Sequence, residues 1–195
     1  MKTHTAILNK LHTSVTLYAL RDLLLFVVTS LILIKSMGYG GGKGIDIIFI
    51  SLTLLLLSTS PLTRYFLVIP YIILCAIYAP VGMIYGPPSV AVVSALFQTN
   101  RVEAVEFLHA IPTGCYLLPF ATLTMLFLLA RYCWRQPLSA RKAMPFFLIL
   151  IVVLFARILS GNAGNIKLID FFSSLMSSYQ SYNRQMIEIM SLIHI

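Results

Sequence analysis

Charged residues are scarce in this chain: Asp, Glu, Lys and Arg make up 10% of its 195 residues, against about 25% in a soluble domain. Apolar residues make up 59% and come in long runs. That combination excludes an ordinary soluble globular domain and places the chain among helical membrane proteins. Cysteine is equally sparse. Cys75, Cys115 and Cys133 form no C-x-x-C pair, so neither a zinc site nor a disulfide framework is supported. Cys75 and Cys115 fall in apolar stretches and read as small packing residues. His4, His12, His109 and His194 lie far apart, without metal-ligand spacing. The net charge of +8 does not point to nucleic acid, because no basic helix with interleaved aromatics exists to form a binding face. Basic residues that flank apolar spans and face anionic lipid account for it.

Other expected signatures are also missing. "GYGGGKG" at 38–44 invites a phosphate-loop reading. That motif needs glycine where Met37 stands and Ser or Thr where Gly44 stands, so an interhelical turn fits better. There is no G-x-S-x-G elbow and no internal repeat. The first apolar run ends in "IKSMGYG" with no A-x-A site, so it reads as a retained span rather than a cleaved signal.

What is present is a series of five apolar runs, each near the ~20 residues that cross the hydrocarbon layer. They cover roughly 16–35, 45–61, 65–85, 113–133 and 144–160. Arg21 and Asp22 sit near the start of the first. Pro70, Pro80 and Pro119 interrupt the third and fourth and predict kinks that neighbouring helices make good. The fold class is therefore all-α: a polytopic membrane protein of five transmembrane helices, with a helical loop between helices 3 and 4. The connector "RYCWRQPLSARK" carries four positive charges and no acid, which puts it in the cytoplasm. The N-terminus is then cytoplasmic, and the loop 86–112 and the C-terminus lie outside. Residues 1–160 form the membrane domain. Gly161, Asn162, Gly164 and Asn165 predict a turn. Residues 161–195 predict an amphipathic linker lying along the membrane surface, with Ile166, Leu168, Ile169, Phe172 and Leu175 roughly on one face. The third to fifth runs hold no mid-membrane acid, which weakens a proton-coupled transporter reading.

The loop "YGPPSVAVVSALFQTNRVEAVEFLHAIP", residues 85–112, is the polar exception. Pro87 and Pro88 fit the start of a new helix. "SVAVVSALF" is short and apolar, and "QTN" breaks it. Ala104, Phe107, Leu108 and Ile111 then recur at i, i+3, i+4 and i+7. Two short helices along the outer face are predicted, with polar residues at their junction. Glu103 and Glu106 fall away from the apolar stripe. Asn100 can cap the second helix with Glu103 three residues on, a capping-box spacing.

The "YG", proline and serine, the apolar stretch ending in "QTN", and then "EA", "EFL" and "IP", set between spans three and four of five, resemble the membrane domain of the bacterial phosphoethanolamine transferases. The resemblance is strongest to the branch acting on lipopolysaccharide core or periplasmic glucan. It covers most of the chain. It implies an inner-membrane enzyme that moves phosphoethanolamine from phosphatidylethanolamine to such an acceptor, using a zinc-dependent periplasmic domain and a threonine nucleophile. It places Glu103 on the lipid-facing side of the active site, with Gln98, Thr99 and Asn100 as further contacts to a lipid amine or to the catalytic domain. Lipid A-modifying members carry asparagine eight residues before that glutamate; here Ala95 stands there. Residues 161–195 hold one His, one Asp and one Glu, from which no zinc site can be built. The chain is therefore expected to hold no catalytic residue or cofactor itself, to be truncated before the catalytic domain, and to depend on a separate or missing one. The partners implied are the phospholipid bilayer and phosphatidylethanolamine. A non-catalytic membrane scaffold or partner-binding subunit is the competing expectation.

Overall fold

The structure is a computed structural model that describes residues 23–135, 140–159 and 166–193. Arg21 and Asp22, residues 136–139 of the basic connector, the expected turn at Gly161, Asn162, Gly164 and Asn165, and His4, His12 and His194 lie outside the described residues. Every regular element among the described residues is helical. In chain order they are α1 (Leu23–Ser36), α2 (Gly44–Leu57), α3 (Pro61–Tyr85), α4 (Val90–Gln98), α5 (Arg101–Ala110), α6 (Leu117–Arg135), α7 (Ala140–Leu159) and α8 (Lys167–Ile193). A single 3-10 turn, Thr113–Tyr116, leads into α6.

Two segments are long and apolar enough to cross a membrane: Pro61–Tyr85, with mean hydropathy 2.2, and Thr113–Cys133, with 1.7. Leu23–Ser36, Gly44–Leu57 and Met144–Ala156 are shorter apolar helices. The 14 residues of α2 rise only about 21 Å, short of a ~30 Å hydrocarbon core.

Three helix pairs build the bundle. α3 packs on α6, α7 on α2, and α8 on α4. Phe26 and Leu33 of α1, Ile50 of α2, Ile72 of α3 and Leu129 of α6 meet in one buried cluster. Polar pairs tie the helices inside it. The Ser30 hydroxyl donates to the Phe26 carbonyl at 2.8 Å and shares a hydrogen bond of 2.8 Å with Ser51 of α2. Ser36 and Thr122 share a hydrogen bond of 2.8 Å between α1 and α6. In an apolar surround such hydroxyls find each other because no water competes.

α3 is not uniform. Arg64–Val68 is a π turn, with the Ile69 N–H donating to the Arg64 carbonyl. Pro70 follows immediately. It lacks an N–H, and its ring crowds the carbonyl four residues back, so a widened turn there relieves the clash. Arg64 donates to the Ser58 carbonyl at 2.8 Å and to the Cys133 carbonyl at 3.5 Å. One guanidinium thus joins the C-terminal ends of α2 and α6, where the helix dipoles favour positive charge.

At the opposite end the glycine-rich turn receives α8. Tyr39, 7% exposed, donates its hydroxyl to Asp170 at 2.8 Å, and the Lys167 ammonium sits 4.4 Å from the Tyr39 ring centroid. Burial, reinforced by the Asp170 carboxylate, pushes the Tyr39 phenol well above its ordinary range, so it stays the donor. Phe171 then enters the core fully buried, edge-on to Tyr78 at 5.4 Å. The expected stripe of Ile166, Leu168, Ile169, Phe172 and Leu175 misses Phe171. The reason is that α8 is apolar over two adjacent faces. One faces the bundle and α4. The other, with Ile169 and Phe172, is exposed. Tyr39→Phe is expected to raise amide exchange across the first three turns of α8 by about ten- to a hundredfold, since a hydrogen bond to a charged group contributes about 1.5–3 kcal/mol. Hydrogen–deuterium exchange checks it, and unchanged exchange would mean that side-chain packing, not this bond, holds the start of α8.

Candidate functional site

Residues 86–112 form a two-helix ledge at the end of α3. The Tyr78 hydroxyl donates to the Gly86 carbonyl at 2.8 Å and fixes where α3 hands over. Pro87 and Pro88 lie ahead of α4 rather than in its first turn: Ser89 is the N-cap, and its hydroxyl accepts from the Val92 N–H at 3.4 Å. Val92 and Val93 turn inward and are buried. α4 ends at Gln98 because Thr99 leaves the helical region, with φ −66 and ψ 122. The Thr99 N–H and hydroxyl both donate back to the Ala95 carbonyl.

Asn100 then opens α5. Its side-chain carbonyl accepts from the Glu103 N–H at 2.9 Å. In return Glu103 accepts from the Asn100 side-chain amide at 2.9 Å and from the Asn100 backbone N–H at 3.3 Å. This is a reciprocal capping box, the arrangement the spacing predicts. Both residues are exposed. A carboxylate offers about four acceptor sites; the cap uses two. The cap holds Glu103 in one place and leaves acceptor capacity toward solvent. Glu106 sits one turn further on and is also exposed.

Of the predicted site residues, the structure brings Asn100 and Glu103 into direct contact and sets Thr99 beside them. Gln98 is exposed at the end of α4, with no contact to Glu103 among its hydrogen bonds.

The ledge is braced on three sides. Tyr85 stacks on Phe107 with centroids 6.1 Å apart. The Tyr116 hydroxyl donates to the Leu108 carbonyl at 2.5 Å. Phe97 stacks on Tyr182 of α8 at 5.4 Å. Under the junction lies an apolar groove of about 440 Å³ between the last turns of α3, one face of α4 and the inner face of α5. Thr99 and Tyr85 are its polar lining residues. Sequence reading missed the groove. Its signal is the small-residue spacing Ala91 and Ala95 on α4 and Thr99 just past its end, four apart, with Ala104 on α5.

Among the described residues no three His, Cys, Asp or Glu side chains gather where they could hold a metal ion. The zinc that the resemblance implies therefore finds no fitting ligand set among the described residues.

No family model matches the chain, and no solved structure matches it. The chain is similar to a Haemophilus influenzae protein named "Putative phosphoethanolamine transferase", at 42% identity over 82 residues. That likeness supports the phosphoethanolamine transferase family. The matched stretch is 42% of this chain and covers 17% of the relative's own length.

Proposed function

We propose that this chain is the membrane domain of a phosphoethanolamine transferase, which moves phosphoethanolamine from phosphatidylethanolamine to lipopolysaccharide core or periplasmic glucan. In this reading all five apolar runs span the bacterial inner membrane, the N-terminus is cytoplasmic, and the ledge and C-terminus are periplasmic. Residues 1–160 are the membrane domain and 161–195 a linker. The transfer chemistry belongs to a zinc-dependent domain beyond these 195 residues, on this chain or another. The ledge presents the donor lipid to it. The observation that supports the reading most is the Glu103 carboxylate, exposed and fixed by its cap on the ledge that follows a spanning-length helix. A carboxylate so held can bind the ammonium of the donor headgroup by a charge-assisted bond. Asn100, Thr99 and Gln98 supply the polar surround.

Mass spectrometry of core oligosaccharide and periplasmic glucan from cells with and without the gene tests the activity. Loss of phosphoethanolamine from either, with restoration by the gene, is the expected result. Labelling of an Asn100→Cys variant from outside intact cells tests the placement. A variant that labels only after the cells are permeabilised would put the ledge on the wrong side.

A second reading, a non-catalytic scaffold or partner-binding subunit, draws on the exposed apolar face of α8, where Met176, Ile187 and Met190 are each more than half exposed. Unchanged phosphoethanolamine levels in the deletion strain would favour it.

A further inference from the structure

α4 has a partner on each side. Ala91, Val92, Ala95, Leu96 and Thr99 line the groove beneath the ledge. At about 100° per residue, Phe97 falls on the opposite side of the helix. There it stacks on Tyr182 of α8 at 5.4 Å and tilts against Tyr179 at 5.4 Å. α8 therefore backs α4. The two ends of α4 are not held alike. Val92 joins the buried core cluster at the first turn, and Gly86 just ahead is fixed by the Tyr78 hydroxyl at 2.8 Å. The Gln98 end has no such root. On its groove side the small Ala95 and Ala104 leave open space, where packed helices ordinarily interdigitate. Leu96, Phe97 and Gln98 are all exposed. What bears on that end is the pair of tyrosines at its back.

α8 in turn is seated far from the Gln98 end. Asp170 accepts from the Tyr39 hydroxyl at 2.8 Å, and Lys167 sits 4.4 Å from the Tyr39 ring centroid. Phe171 is fully buried against Tyr78, and Phe172 touches the Tyr71 ring at 5.7 Å. At ~1.5 Å per residue, Asp170 and Tyr182 lie about 18 Å apart along the helix. Ile169, Met176 and Ile187 of α8 are exposed, so no described element blocks a lift on that side.

We propose that α8 is a strap that sets the width of the groove. Seated on Tyr39 and Tyr78, it holds its tyrosines against Phe97 and keeps the Gln98 end of α4 near α3. Lifted from that seat, it releases Phe97. α4 then pivots about Val92, and its Gln98 end moves away from α3. The space beside Thr99, next to the capped pair Asn100 and Glu103, opens. Tyr78 adds a second link, because one side chain carries both the Phe171 ring and the Gly86 carbonyl. α8 is thus a two-position element that both its seat and the ledge bias, which is the physical requirement for coupling between them. The device belongs to the fold and holds whichever molecule the groove takes.

The test measures distances between spin labels by double electron–electron resonance, on the whole chain in lipid nanodiscs. The background is Cys115→Ser, since Cys75 and Cys133 are buried. Labels at Ile77→Cys on α3 and Gln98→Cys read the groove. Labels at Ile77→Cys and Gln185→Cys read the strap. Labels at Ile48→Cys and Phe127→Cys, both on exposed bundle positions, serve as control. A lost hydrogen bond to a charged group shifts such an equilibrium about ten- to a hundredfold. Tyr39→Phe with Phe171→Ala is expected to give a second, longer distance for both the groove and the strap pairs, in about half of the molecules or more, with the control distance unchanged. Tyr39→Phe alone should raise the same longer population about tenfold, and it decides should the double variant not fold. A strap that lifts while the groove distance stays single overturns the proposal. So does a strap that stays seated without the Tyr39 hydroxyl and the Phe171 ring. Broadening of the control pair together with the others overturns it too, since α8 would then be an ordinary part of the core.

Discussion

Glu103→Gln, made in a full-length transferase carrying this ledge, is expected to lower acceptor modification by about ten- to a hundredfold, the range that a lost charge-assisted hydrogen bond of about 1.5–3 kcal/mol implies. Membrane insertion and abundance should stay unchanged. The substitution separates two roles that the geometry superimposes. As a cap, Glu103 needs only an acceptor that reaches the Asn100 N–H and side-chain amide, both within 3.3 Å. Glutamine serves at that position of a capping box almost as well as glutamate. As a partner for an ammonium group it needs the charge, which glutamine lacks. A variant with full modification would reduce Glu103 to its cap. Asn100→Ala supplies the opposite control. It removes the acceptor of the Glu103 N–H and should destabilise α5 by about 1 kcal/mol while leaving the charge in place. Its effect on modification should then be several-fold smaller than that of Glu103→Gln.

The ledge was legible because its signals are local. Asn100 and Glu103 stand three apart with apolar residues following, and a capping box needs nothing beyond that segment. The breaks at Pro87, Pro88 and Thr99 likewise act through their own backbone. The apolar runs were legible as runs, but composition does not say how far each helix extends: α2 stops at Leu57, where Ser58 and Arg64 close it, short of the expected 61. Phe171 went unseen because apolar residues occupy two faces of α8, and only its neighbour Tyr78, 93 positions earlier, selects one. The groove went unseen for the opposite reason. It is made by side chains that stop short, and alanine in a helix carries no mark of the space it leaves. "GYGGGKG" is the strongest case. It reads as a loose turn, yet two of its residues are held tightly. Tyr39 is buried against α8, and Gly38 is pressed against the end of α3.

That contact sets the last prediction. Gly38 has φ +86, where an L side chain costs about 1–2 kcal/mol. A Cβ on it would lie 2.3 Å from the Gly86 carbonyl oxygen and 2.8 Å from the Pro87 nitrogen. Both are backbone atoms, so no rotamer change relieves the overlap. Gly86 cannot move aside cheaply either. It sits at φ 80 and ψ −157, a region essentially confined to glycine, and its carbonyl is held by the Tyr78 hydroxyl. On the next turn down, a Cβ on Gly82 would come within 2.9 Å of the Gly38 nitrogen. Gly38→Ala is therefore expected to destabilise the domain by more than about 3 kcal/mol, since it adds backbone overlap to the left-handed penalty. Gly41→Ala, three residues away in the same motif, meets nothing within 4 Å and should be close to neutral. Thermal unfolding of the two purified variants in detergent makes the comparison, and equal midpoints would mean that the approach of α1 to the ledge is not close. The functional corollary follows from position. Gly86 is where the ledge begins, so a displaced Gly38 tilts α4 and α5 with Asn100 and Glu103 still paired. Under the proposed function, a full-length transferase carrying Gly38→Ala that does insert should lose modification of the acceptor while retaining an intact capping box.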